Sequence, residues 1–269
     1  MTTPNRSPED HLLVRRDGPV ATVVFNRPAQ RNAITQAMWE ALPSVLEAVG
    51  SDPAVRVVQV TGAGEHAFSA GADIKEFERT RATPEQARAY RHAVEAAGEA
   101  LAHLHQPTVA LVRGYCLGGG FELALHADLR IAAADASFGL PAAKRGLAAS
   151  HQHAARLLAL AGLGGASYIL LSARTIGAQE ALRLGLVNAV VPAAELDAYA
   201  ATLAGEMAAL SPVTHRIHKQ VLADLLAHGG PVQVPAERLE LPSIAETSED
   251  FKEGVRSFLE KRPPHFPGH

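Results

Sequence analysis

The sequence predicts an α/β fold with parallel strands crossing over through helices, followed by a helical C-terminal region. Three observations predict it. Apolar β-type runs at residues 55–60, 108–112 and 129–132 are separated by helical patterns, and strands joined through helices are built parallel. Two glycine-rich turns, Phe68-Ser69-Ala70-Gly71-Ala72-Asp73-Ile74-Lys75 and Gly114-Tyr115-Cys116-Leu117-Gly118-Gly119-Gly120-Phe121-Glu122, each come after such a run and open a helical pattern. Beyond Ala154 the chain reads as mostly helical.

In chain order, alternating apolar residues at 11–16 and 20–26, joined at Asp17-Gly18, predict a hairpin. Thr35 is placed to cap a helix carrying Met38, Leu42, Val45 and Leu46 on one side, and Pro43 inside that pattern is expected to shorten or kink it. Residues 55–60 form a buried strand. Thr83-Pro84-Glu85-Gln86 is a capping box with proline at the first helical position, opening a helix to about residue 105. Strands at 108–112 and 129–132 follow, with a helix at about 119–127 between them. Leu157, Leu158, Leu160, Tyr168 and Leu171 supply apolar helix faces, and a short strand is expected near 187–191. In the last helix Phe251, Val255, Phe258 and Leu259 fall at i, i+4, i+7 and i+8, one apolar stripe that needs a partner. No internal repeat or linker divides the chain. One domain over residues 1–269 is expected, with a β/α core at about 11–195 and a helical region at about 196–262.

The composition narrows the function. With 47% hydrophobic and 20% charged residues, 269 residues can bury a sizeable core. A formal charge of −3 gives no electrostatic reason to expect nucleic acid or an anionic membrane. The single cysteine, Cys116, rules out an intramolecular disulfide and reads as a small buried filler. Residues 1–10 are polar, with Arg6, Glu9 and Asp10, and carry no signal-peptide core. No run long enough to cross a bilayer is apparent, and a cytoplasmic location is expected.

A strand that ends in small residues and opens a helix leaves unpaired backbone N–H groups. Two such ends facing one point can hold an oxygen that becomes negative during a reaction. Gly118-Gly119-Gly120 is not a nucleotide fingerprint, because Leu123 stands where a third spaced glycine is required, and no Lys-Ser/Thr follows to make a P-loop.

The two turns resemble the paired signatures of the crotonase family, the enoyl-CoA hydratases and isomerases. Four further segments resemble that family in order: Phe25-Asn26-Arg27-Pro28 with Arg31-Asn32-Ala33-Ile34, Phe138-Gly139-Leu140-Pro141 with Arg145-Gly146-Leu147, Ala178-Gln179-Glu180-Ala181 with Gly185-Leu186-Val187, and Ser248 through Pro263. The resemblance implies a crotonase-type spiral of β-β-α units with a C-terminal trimerisation region, as a homotrimer or a dimer of trimers. It implies an acyl-CoA thioester substrate, coenzyme A arriving as part of that substrate, and no separate cofactor or metal. The thioester carbonyl is expected between the amides of Ala72 and Gly119. Ala70, Asp73, Ile74, Lys75, Gly118, Pro141 and Ala142 are implied substrate-binding positions, with Arg31 a weaker candidate for a CoA phosphate.

Glu122 lies one helical turn after Gly119, so its side chain can face the same pocket. In the hydratases this position holds one of two catalytic glutamates. The second is expected after Pro141, where this chain has Ala142, and residues 136–179 contain no Asp or Glu. Two-glutamate hydration, and isomerisation on that lost carboxylate, are therefore in question. Ser150-His151-Gln152-His153 offers a replacement, with His151 the first candidate and His153 the second, since an imidazole can act as acid, base or donor near neutrality. His-x-His without a third ligand is a poor metal site. Hydratase-type lyase chemistry is the leading expectation. The alternatives are a thioester or C–C bond hydrolase, a decarboxylase, and a non-catalytic acyl-CoA-binding homologue. A serine peptidase centred on Ser69 lacks a signalled histidine partner.

Overall fold

The computed structural model describes residues 11–269; the polar stretch 1–10 lies outside them. Strands β1 (Leu12–Asp17) and β2 (Val20–Phe25) form the expected antiparallel hairpin. Thereafter the chain alternates between two sheets. The first receives β3 (Val57–Gly62), β5 (Thr108–Val112), β7 (Leu129–Ala133) and β10 (Ala189–Val191), in the order β1-β2-β3-β5-β7-β10, parallel from β2 onward. The second is built from β4 (Ala67–Ser69), β6 (Tyr115–Leu117), β8 (Ser137–Gly139) and β9 (Ile176–Gly177), in that order. Each of β3, β5 and β7 thus hands the chain to a short strand of the second sheet before a helical segment follows. This is the β-β-α spiral.

The helices are α1 (Gln36–Gly50), α2 (Phe77–Thr80), α3 (Pro84–Ala102), α4 (Gly119–Ala124), α5 (His151–Ser172), α6 (Ala178–Arg183), α7 (Leu196–Ala208), α8 (Pro212–His228), α9 (Ala236–Leu239), α10 (Leu241–Glu246) and α11 (Glu249–Glu260). Thr35 caps α1 by accepting from the Met38 amide, and Thr83 with Gln86 completes the capping box of α3. The expectation that Pro43 shortens α1 is corrected, because the helix runs through it to Gly50. Met38, Trp39, Leu42, Leu46 and Val49 are all buried along that helix, and their packing outweighs the ~3 kcal/mol that an interior proline costs. Helices α3 and α4 each end three residues before the expected limit.

Strand residues alternate between two cores. Val58, Val60, Ala110, Val112 and Ala132 face the main core with α1 and α3, whereas Val57, Val109, Leu111, Ile131 and Ala133 pack against Leu196, Ala200 and Ala204 of α7. Both faces of the parallel sheet are covered, which is why its strands read as unbroken apolar runs.

Helix α5 departs from the sequence reading in two ways. It is long and apolar enough, by length and composition, to cross a membrane, contrary to the expectation that no run would be. Gly162 takes φ 65°, ψ 175° inside it and divides it, so neither half keeps that length. Of its expected apolar contacts Leu157 is buried and Leu160 packs at the core margin, while Leu158, Tyr168 and Leu171 are exposed. In α11, Phe251, Val255, Phe258 and Leu259 form a stripe open to solvent, with Phe258 83% and Leu259 74% exposed.

Candidate active site

The two glycine turns meet because β4 and β6 pair in parallel and the glycines let the two backbones approach closely. After β4, the Gly71 amide donates to Ser69 Oγ (3.1 Å), and the segment binds the chain before α1 through Ile34 N to Gly71 O (2.8 Å) and Asp73 N to Ile34 O (2.9 Å). Gly71 has φ +97°, and a Cβ there would lie 2.8 Å from Leu117 O and 3.3 Å from Gly119 N. Only glycine fits both conditions. On the opposite turn, the Gly118 amide donates to Gly139 O (2.9 Å), and Gly119 begins α4. A Cβ on Gly119 would stand 3.6 Å from the Ala72 amide nitrogen and 3.0 Å from Cζ2 of Trp39. None of the strapping bonds uses the N–H of Ala72 or of Gly119. The Gly119 donor is unused because the first turn of a helix has no acceptor for it.

Glu122 follows one turn along α4, its amide bonded to Gly118 O at 2.9 Å. The far end of this short helix is held by Arg130, buried at 2% exposure, whose guanidinium donates to the carbonyls of Ala127 (2.5 Å), Leu186 (2.8 Å) and Ala124 (3.4 Å). Burial raises the Glu122 carboxyl from 4.5 to about 7; nearby Arg81 opposes this and Glu95 reinforces it. Glu122 Oε1 lies 3.6 Å from Nδ1 of His153. Burial drives that imidazole down from 6.5 to about 4. Between these two values the pair is a protonated carboxyl beside a neutral ring, not an ion pair. Ser150 sets the ring: as N-cap of α5 its Oγ accepts from the His153 amide (3.4 Å) and lies 3.1 Å from His153 Nδ1.

Comparison with known proteins places this arrangement. A family profile described as Enoyl-CoA hydratase/isomerase matches residues 15–269. The chain belongs to the enoyl-CoA hydratase/isomerase family. It is 33% identical to a short-chain-enoyl-CoA hydratase of Clostridium acetobutylicum, over 94% of this chain and 96% of that one. It is 35% identical to a 2,3-dehydroadipyl-CoA hydratase of Escherichia coli, over 96% and 98%. Among solved structures, an enoyl-CoA hydratase/carnithine racemase from Magnetospirillum magneticum superposes with TM-score 0.92 at 36% identity, covering 97% of each chain. The architecture is therefore the crotonase fold, and the family is one of enzymes.

Within this family member the remaining expected positions separate. Gly71, Ala72, Gly118 and Gly119 come together at the meeting of the turns, whereas the Ala70 amide donates to Arg31 O at 2.9 Å. Asp73 turns inward instead, paired with Arg27 at 2.9 Å and accepting from the Lys75 amide at 3.2 Å, so its carboxylate is spent on holding the turn. Ile74 and Lys75 are exposed beside it. Arg31 lies over the Tyr115 ring, 5.0 Å from its centre. Pro141 and Ala142 open a 3-10 turn, with Ala142 packed on the margin of the main core. Of the two histidine candidates, His151 is exposed in the first turn of α5, while His153 is buried against Glu122. The contact with Glu122 is made by His153 and not by the first candidate, His151, because two residues along a helix rotate the side chain to another face.

Sequence reading missed the walls. The buried Trp39 ring backs Gly119, and its Nε1 donates to Tyr90 Oη at 3.1 Å. The Arg81 guanidinium lies over Tyr90 and Phe77, 4.1 and 4.3 Å from their centres. Trp39 is the one tryptophan of the chain, but its period along α1 reads as ordinary core. His126, at the end of α4, was also missed. Cys116 is buried as expected, and burial pushes its thiol well above the ordinary range.

Proposed function

We propose that this chain is an acyl-CoA thioester lyase of hydratase type, with coenzyme A arriving as part of the substrate and no separate cofactor. The observation that supports it is the pair of unengaged amides, Ala72 and Gly119, brought together one helical turn from a carboxyl raised to about 7. Two N–H groups aimed at the thioester oxygen stabilise the negative charge that grows there when the α-carbon becomes enolate-like. Glu122 titrates near neutrality, so it can take or give a proton. In hydration it would take the proton from a water whose oxygen bonds the β-carbon, then return it to the α-carbon as the enolate collapses. Relatives named as hydratases support the same direction.

A second reading is favoured by one observation, that residues 136–179 hold no carboxylate and Ala142 stands after Pro141. Enolate stabilisation also serves hydrolysis and decarboxylation, which need a different proton inventory. A panel of enoyl-, 3-hydroxy-, 3-oxo- and malonyl-type CoA esters, followed by mass, separates these. Turnover of the enoyl or 3-hydroxy esters is expected. Gly119→Pro removes one donor and should cost about 10²-fold or more in kcat. Full turnover by that folded variant would overturn the assignment. Binding without any mass change would identify a non-catalytic binder.

A further inference from the structure

Trp39 and Tyr90 lead from the glycine turns to a cation that has no counter-charge. Trp39 backs Gly119 and donates from Nε1 to Tyr90 Oη. The Tyr90 ring carries the Arg81 guanidinium, 4.1 Å from its centre. Arg81 is half-buried, and its charge reaches Glu122, where it opposes the rise of the carboxyl. The guanidinium therefore stands beside the site of the two amides, on the flank formed by α2 and α3. The chemistry proposed for Glu122 and those amides makes no use of it.

Local structure holds this cation still. Arg81 closes α2, its amide donating to Phe77 O at 2.9 Å. The next two amides, of Ala82 and Thr83, donate to Gln86 Oε1 at 3.0 and 3.2 Å, which fixes the short link into α3. The guanidinium lies in the corner between Phe77 and Tyr90, whose rings are 5.9 Å apart and inclined at 79°. Aromatic faces attract the charge, but they do not saturate the N–H donors of a guanidinium. Arg81 Nε is buried with no hydrogen-bond partner, and Arg81 has no ion pair among the described residues. The nearby acids are turned elsewhere. Glu76 accepts from the Gln36 amide at 2.8 Å and pairs with Arg79 at 3.0 Å. Glu95 lies 3.9 Å from Arg91, and Glu122 faces His153 and is uncharged below about 7. Residues 136–179, which include Ala142, bring no acid at all. Native proteins leave few buried donors unpaired without a reason.

We propose that Arg81 receives a carboxylate at the far end of the acyl chain, so that the preferred substrates are CoA thioesters of dicarboxylic acids. This rests on the reading of the site as one for acyl-CoA thioesters. The fork of a guanidinium matches a carboxylate with two parallel N–H···O bonds. In a half-buried place water screens that pair less than it would on the open surface. The clamp of rings and capped backbone supplies the donor already oriented, so little side-chain freedom is lost when the anion arrives. A chain ending in methyl has no acceptor to offer and would shield the unpaired cation further from water. The same residue thus favours one class of acyl group and disfavours the other.

The test is binding to the whole protein, read by calorimetry. The probes are 2-oxoalkyl-CoA thioethers, which keep a carbonyl and cannot be hydrolysed, with chains of four to eight carbons ending in methyl, carboxamide or carboxylate. At the fitting length the carboxylate should bind about 10-fold or more tighter than either neutral ending, as expected for hydrogen bonds to a charged group. The ratio between endings is the readout, because a general change in the site weakens all three alike. Arg81→Met should abolish the preference, and Arg81→Lys, a point charge without the fork, should keep part of it. A preference that persists undiminished in Arg81→Met, or in Arg81→Gln if the methionine variant does not fold, overturns the proposal. Equal binding of the three endings by the wild type at every length overturns it too, and leaves the acyl-CoA reading standing. Binding of none of the probes overturns both.

Discussion

Glu122 Oε1 stands 3.6 Å from His153 Nδ1, the carboxyl rising from the short helix after the triple glycine and the imidazole from the first turn of α5. The contact spans thirty residues of chain, and burial shifts the two groups in opposite directions, about 7 for the acid and about 4 for the base. Both therefore stay uncharged over the interval between. Proton affinity, not ion pairing, is what the pair shares.

The raised Glu122 pKa fixes the sign of one pH dependence. Between 4.5 and about 7 the unfolded chain has lost a proton that the folded protein keeps. Stability therefore falls as pH rises through that window and stays at the lower level above it. Glu122→Gln should be more stable than wild type above pH 7, with the advantage vanishing toward pH 4.5, as read by thermal melting. The same variant should lose about 10²-fold or more in turnover. A stability difference that does not change across the window contradicts the burial of an ionisable acid here.

The two histidines act on stability at lower pH. Each has an unfolded value of 6.5, against about 4 for folded His153 and about 3 for folded His126. In that interval the unfolded chain binds protons that the folded rings refuse. Their contribution is fully present above 6.5 and is lost as pH falls to the folded values. His126→Phe should remove much of this acid sensitivity and move the midpoint of acid unfolding to lower pH. An acid midpoint equal to that of wild type shows that His126 is not held neutral.

Ala142 sets the expected weakness of this chain toward a simple enoyl-CoA. Crotonyl-CoA hydration should fall well below that of relatives that carry two glutamates, since each general acid–base group contributes about 10²–10⁴-fold. Ala142→Glu should raise it if the missing carboxylate is the limiting element. If the natural acyl group is larger and uses this corner, the substitution should leave hydration unraised and weaken binding of the native substrate. Wild-type turnover matching the two-glutamate relatives refutes the role given to Ala142.

Phe251, Val255, Phe258 and Leu259 leave an apolar stripe on α11 open to solvent. We expect it to lie at or near a contact in a trimer or a dimer of trimers, because contiguous exposed apolar surface marks association. Replacing Phe258 and Leu259 by lysine should release smaller species in sedimentation. A wild-type monomer at micromolar concentration contradicts the expectation.

Much of the fold was legible locally. The strands of the large sheet are apolar runs because both of their faces are covered. Thr35 and Thr83 announced helix starts because a capping hydroxyl acts within three residues. The glycine turns were legible for the same reason, since only glycine tolerates the φ of Gly71 beside Leu117 O. The second sheet was not, because β4, β6 and β8 are three residues each, too short to show a period. Nor was the passage of α1 through Pro43, where long-range packing prevailed over a local rule.

In the site, the resemblance carried by the sequence pointed to the amides of Ala72 and Gly119, the spacing placed Glu122 one turn after Gly119, and the sequence by itself determined that residues 136–179 contain no acidic residue. Only the tertiary structure decided which histidine reaches Glu122. His151 and His153 are equivalent as letters, and the rotation of α5 against α4, fixed by Ser150 and the packing of Leu157, turns one outward and buries the other. It also set the His126 ring 5.4 Å from that of His153 and shifted three protonation equilibria through burial. Desolvation depends on everything that surrounds a group in space, and those surroundings are spread across the whole chain.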